Sequence, residues 1–111
     1  NFVMKLSSDT IISKEKILDY LLKWIPENDK SKFLAQAGYA QEKWEQLQRD
    51  IREMIVHNEA TFMERTLFGD VFEIRGTLRG PNKKEINIIT IWMIEHKTQR
   101  TKFITLFPYK E

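Results

Sequence analysis

The chain is 111 residues long, 41% apolar and 31% charged, with no cysteine and a formal charge of +2. That length bounds one domain, expected over 1–111, with a core that needs no staple, and the missing cysteines exclude a disulfide framework and a thiolate zinc site. No apolar run approaches the roughly 20 residues of a membrane span and no signal-peptide core follows the N-terminus, so a soluble, cytoplasmic protein with no membrane partner is expected.

Met4 reads as the native start, and Asn1 to Val3 before it are given no role. Ser13 is placed to cap a first helix running to about Trp24, with Ile17, Leu18, Leu21, Leu22 and Ile25 on one stripe and Pro26 closing it. Asn28 or Asp29 caps a short second helix that turns Phe33, Leu34 and Ala37 inward and ends at Gly38, where a left-handed residue is needed. Lys30 and Lys32 sit near its first turn, against the helix dipole. That placement fits solvated charges, and it fits anion binding by Lys30 or Lys32 with the free amides of that turn. A third helix over about Gln41 to His57 has Trp44, Leu47, Ile51, Met54 and Ile55 on one face and a Glu45–Arg49 pair on the other. Ala40 is a poor cap for it, and His57 at its end suits the dipole better than catalysis.

Strands follow. Thr61 to Arg65 is a short one, and Leu67-Phe68-Gly69 turns into the main sheet. Phe72, Ile74, Gly76 and Leu78 alternate with Val71, Glu73, Arg75 and Thr77, the period of a strand with one buried face. From Ile86 to Ile94 apolar residues occupy both parities, which marks a central strand. Gly80-Pro81-Asn82 and the polar run from Lys97 to Arg100 supply turns, and Pro108 ends the last strand. The expected fold is α+β: three N-terminal helices packed on one face of a four-stranded antiparallel sheet.

Charge is unevenly spread. Residues 1–74 hold 10 Lys/Arg against 13 Asp/Glu, and residues 75–111 hold 8 against 3. A basic sheet suits a polyanion, although Lys83, Lys84, Lys97 and Lys110 also serve to solvate turns and edges. There is no phosphate-cradling glycine loop, no nucleophile elbow and no H-E-x-x-H, and His57 and His96 lack carboxylate company at ligand spacing, so neither a cofactor nor a metal is expected.

The remaining chemistry lies on the polar face of the sheet, where Glu73, Arg75 and Thr77 are expected beside Thr90 and Trp92, with Thr105 from the last strand. Lys102 falls on the opposite parity and joins Thr105 only across a bulge or a strand end. A carboxylate, cations, hydroxyls and an aromatic platform suit metal-free RNA cleavage: Glu73 as base, Arg75 or Lys102 on the phosphate, Trp92 under a splayed base, although a tryptophan on a central strand also reads as core. The alternative is a non-catalytic module that uses the exposed sheet face to bind a partner chain.

Several stretches together, Met4-Lys5-Leu6, Asp19-Tyr20-Leu21-Leu22, Asp29-Lys30-Ser31-Lys32-Phe33, Ala37-Gly38-Tyr39, Gly80-Pro81-Asn82, Thr90-Ile91-Trp92 and Lys102-Phe103-Ile104-Thr105-Leu106-Phe107-Pro108, resemble a bacterial family of small domains of unknown function. Its order of elements and its ending are similar to the BECR ribonucleases, the group of barnase, EndoU, colicin D and RelE. The resemblance implies a ribonuclease toxin held by a small antitoxin or immunity partner, and it points to Lys32, Thr90, Lys102 and Thr105. Ile89 and Phe107 depart from it, standing where relatives carry arginine and tyrosine.

Overall fold

The computed structural model describes residues 6, 10–23 and 29–109. Four strands, β1 (Thr61–Arg65), β2 (Gly69–Arg79), β3 (Glu85–Glu95) and β4 (Thr101–Pro108), form one antiparallel sheet in the order of the chain. Short turns between consecutive strands make this meander the direct topology. Ile74 pairs with Thr90 and Thr90 with Leu106, so the even positions of β2 and β3 share one face. On that face Phe72, Ile74, Leu78, Ile86, Ile88, Trp92, Phe103 and Leu106 are all buried.

The helical half differs from the sequence expectation of three packed helices. Only α2 (Trp44–His57), entered through a 3-10 turn at Gln41–Lys43, is a long helix. Before it stand a seven-residue helix, α1 (Asp29–Ala35), and a six-residue π-helical segment, Lys16–Leu21. The first expected helix does begin as foreseen, since the Lys16 amide donates to Ser13 Oγ at 3.0 Å. Its register then widens: the Leu22 amide donates to the Ile17 carbonyl at 3.0 Å, a bond five residues long. The apolar stripe still buries Ile17, Leu21 and Leu22. Periodicity registers an apolar face but does not separate an α turn from a π turn over so short a run. The expected roles of Trp24, Ile25, Pro26 and Asn28 lie outside the described residues.

α2 buries Leu47, Ile51, Met54 and Ile55, as its spacing predicts, and begins behind Ala40 with no side-chain cap. Its polar flank ties down the incoming chain: Gln48 donates to the Ile12 carbonyl at 2.7 Å and Arg52 to the Thr10 carbonyl at 2.7 Å. Tyr39, almost fully buried, donates its hydroxyl to Asp50 of the same helix. Burial first, and then Asp50, push that phenol far above its ordinary pKa.

The β2–β3 turn is fastened to the end of α1. Gly38 takes the left-handed conformation (φ 91°), and Asn82 donates from its amide to the Ala37 carbonyl at 3.3 Å and from its side chain to Gln36 at 2.9 Å. Gly80 approaches so closely that a Cβ would stand 1.9 Å from the Ala37 carbonyl oxygen. The G-P-N stretch is therefore a docking surface for α1 as well as a turn.

Candidate functional site

The outer face of the sheet, turned away from α2, is built from the odd positions of β2 and β3. Glu73 pairs across to Ile91 and on to Thr105, Arg75 to Ile89 and Phe107, and Val71 to Met93 and Lys102. Lys102 and Thr105 share this face because β4 carries a bulge: between Trp92 and Ile91 its register jumps from Phe103 to Thr105, leaving Ile104 as the extra residue. Glu73, Arg75, Lys102 and Thr105 thus lie on one surface, Lys102 only by way of the bulge, since regular alternation puts it on the opposite parity. They are not gathered into one site. Two strand spacings put the Cα atoms of Glu73 and Thr105 about 10 Å apart, with Ile91 between them. Glu73 and Arg75 are ion-paired with each other, and the Arg75 guanidinium packs 4.8 Å from the Tyr109 ring centroid. Lys102 is paired with Glu95 at 3.0 Å, and that contact, reinforced by Thr98, holds the Glu95 carboxyl below the usual carboxylate range.

Thr90 and Trp92 are elsewhere. Both are fully buried on the face beneath α2, which corrects their expected position beside Arg75. The Thr90 hydroxyl donates to the Ile74 carbonyl at 2.9 Å and accepts the Trp92 indole N–H at 2.7 Å, so each buried polar atom is satisfied. Phe103 meets the indole edge-on, 5.3 Å between centroids. The physical reason is parity: Ile86 and Ile88 are core, and Thr90 and Trp92 follow at the same period of two. Lys32, on α1, lines a separate cavity of about 410 Å³ with Phe33, Gln36, Asn87 and Tyr109. His57 meets Glu53 at 2.9 Å on its own helix, and the His96 imidazole N–H donates to the Thr66 carbonyl at 3.0 Å.

A different cluster forms where the π-helical segment reaches β4. The Tyr20 and Thr105 hydroxyls are 3.2 Å apart. Lys16 stands 5.1 Å and Lys30 5.7 Å from the Tyr20 ring centroid. The bond to Thr105, followed by Lys30 and Lys16, draws the Tyr20 phenol below its ordinary pKa against the opposing effect of burial. Tyr20 remains 44% exposed, so a ligand can reach it. A phenol of lowered pKa among cations has the chemistry to exchange a proton next to a bound anion. Among the described residues, no group of three or more His, Asp or Glu side chains is arranged to hold a metal, and no helix is long and apolar enough to cross a membrane.

Over residues 5–110 the sequence matches the family described as Domain of unknown function (DUF6883). The chain belongs to that family. No curated protein and no solved structure matches it. The DUF6883 match covers the Tyr20–Thr105 cluster and the whole outer face, and it carries no relationship to the BECR ribonucleases.

Within this DUF6883 domain, sequence reasoning names Thr105 and, separately, Lys30, but neither Tyr20 nor Lys16 beside them. One signal was available. Tyr20 lies off the Ile17–Leu21 stripe, four residues after Lys16, and Lys30 stands against a helix dipole without a local reason. Only the fold brings residues 16, 20, 30 and 105 to one edge.

Proposed function

We propose that this domain is a metal-independent ribonuclease of the toxin type, acting at the Tyr20–Thr105 edge of β4. The observation that carries the reading is the exposed Tyr20 phenol, hydrogen-bonded to Thr105 and flanked by Lys16 and Lys30. RNA brings its own nucleophile. The 2′-oxygen attacks the adjacent phosphorus and the bond to the 5′-oxygen breaks, leaving a 2′,3′-cyclic phosphate and a 5′-hydroxyl. The 2′-hydroxyl proton passes to water, Tyr20 hands its phenolic proton to the departing 5′-oxygen, and the phenolate regains a proton from water. A phenol made more acidic by its neighbours suits the donor role, and the two ammonium groups offset the charge that gathers on phosphorus. In this reading Glu73 and Arg75 take no part, because each occupies the other. The BECR resemblance supports the reaction class and adds a small antitoxin or immunity partner.

The test is incubation of the purified protein with total RNA and tRNA in EDTA. Cleavage to cyclic-phosphate ends, lost in Tyr20→Phe, is the expected result. Intact RNA at micromolar protein would sink the reading.

A second reading keeps the outer face for a partner chain. Ile89, Ile91 and Met93 lie half-buried along β3, with Phe107 exposed beside them, framed by the Glu73–Arg75 and Glu95–Lys102 pairs. A protein with no turnover whose partner is released by Ile91→Asp would favour it.

A further inference from the structure

A cavity of about 540 Å³ opens beside the proposed site, between the Ile11–Ser13 segment and the β3–β4 turn. Its volume lies within the range of small-ligand sites. Lys16, Arg100 and Lys102 line it, against one carboxylate, Glu95. That carboxylate is already committed, to Lys102 at 3.0 Å and to the Thr98 hydroxyl at 3.2 Å. No described residue pairs with the Arg100 guanidinium, so the cavity keeps an excess of positive charge and a donor fork without a partner.

The walls are held in place. On one side the Ile11 amide donates to the Thr101 carbonyl and the Phe103 amide to the Ile11 carbonyl, both at 2.8 Å, so the incoming chain lies along β4 as a short parallel bridge. On the other side Gln99 takes a left-handed φ of 58°, uncommon for its type, its amide bonded to the Glu95 carbonyl at 2.8 Å. Thr98 Oγ1 accepts the Arg100 amide at 3.2 Å, fixing the backbone from which Arg100 projects. Lys16 belongs to both places: it lines the cavity and stands over the Tyr20 ring.

We infer that this cavity is a second phosphate subsite, taking the backbone phosphate of a single-stranded polynucleotide next to the one held at Tyr20. The inference rests on the ribonuclease reading for its ligand, and on the cavity's own charge for its place. From Thr105 to Thr101, β4 covers four residues, about 13 Å at strand rise. That is room for successive phosphates of one extended strand, and a planar guanidinium suits the bidentate contact.

The experiment separates the two ideas. Binding of a fluorescein-labelled hexameric DNA strand, which lacks the 2′-hydroxyl and is not cut by this route, is followed by anisotropy across a salt series for the wild type, Tyr20→Phe and Arg100→Gln. The expected result is wild-type-like binding by Tyr20→Phe. Arg100→Gln should bind about tenfold more weakly, its salt slope shallower by about 0.7, one single-strand phosphate contact. Cleavage of a dinucleotide, too short to reach the cavity, should be unchanged in Arg100→Gln. Equal affinity and slope for Arg100→Gln and wild type would overturn the subsite while leaving the ribonuclease reading standing. Weaker binding by Arg100→Gln in a protein that cuts no RNA would keep the subsite and remove the cleavage. A mononucleotide bound as tightly as the hexamer would assign the cavity to a free nucleotide and overturn the inference.

Discussion

Thr90 and Thr105 are the same side chain on neighbouring strands, each hydrogen-bonded to a large aromatic residue, yet they do opposite things. Thr90 is sealed under α2, its donor and acceptor both used, and its indole partner is sealed with it. Thr105 faces outward at the edge, where its partner phenol is exposed and has cations beside it. A buried, satisfied pair rigidifies a core. An exposed pair in an electropositive setting can exchange protons. The chemistry belongs to the surroundings of the hydroxyl, not to the hydroxyl.

The contrast can be broken by substitution. Trp92→Ala should have the largest effect, a loss of about 3–5 kcal/mol in urea unfolding, because it empties the centre of the core. Next comes Tyr20→Phe, expected to lower RNA cleavage about 100-fold or more while leaving the urea midpoint close to wild type. Should Tyr20→Phe unfold the protein as readily as Trp92→Ala does, the edge is structural and the contrast fails. Thr90→Val leaves the indole N–H buried without an acceptor and should cost about 1–3 kcal/mol; Thr105→Val, which strands only an exposed phenol, should cost under about 1 kcal/mol. Gly80→Ala forces the β2–β3 turn off Ala37, an overpacking worth about 1–3 kcal/mol, and should loosen α1 and with it the hold of Lys30 on the edge.

The smallest effect is spectroscopic. Near-ultraviolet titration should find Tyr20 ionising below the ordinary value near 10 and Tyr39 resisting well above it. The signs are opposite. With its folded pKa depressed, Tyr20 favours the native state above pH about 10, and that contribution is lost as pH falls through its folded value. With its folded pKa raised, Tyr39 contributes stability below pH about 10 that is lost as pH rises toward its folded value. Alkaline unfolding should therefore follow Tyr39, and Tyr20→Phe should remove only the early part of the absorbance change.

The sheet was legible in the sequence because its signals are local. Alternation in Phe72–Leu78, apolar residues on both parities in Ile86–Ile94, and the G-P-N and K-T-Q-R breaks each encode a strand or a turn within a few residues. The helical half was legible as apolar stripes, with Gly38 and Ser13 in their expected places, but not as geometry: the π register of Lys16–Leu21 leaves the stripe almost unchanged. The site was least legible. The period from Ile86 and Ile88 carries Thr90 and Trp92 into the core, a reading the sequence also offers for Trp92, whereas grouping the two by chemical type sets them on the surface. Tyr20 and Thr105 are 85 positions apart, and no local pattern announces a contact of that range.

Ile104 gives β4 two reading frames. On the N-terminal side of it outward residues fall on even numbers, Lys102 among them, and on the C-terminal side on odd ones, Thr105 and Phe107. Deleting that single isoleucine would join Phe103 directly to Thr105 and restore plain alternation, with Lys102, Thr105 and Phe107 still outward and Phe103 and Leu106 still inward. The loss of Ile104 should therefore straighten β4 without turning any side chain over, whereas deleting Phe103 or Thr105 would remove a paired residue from the ladder.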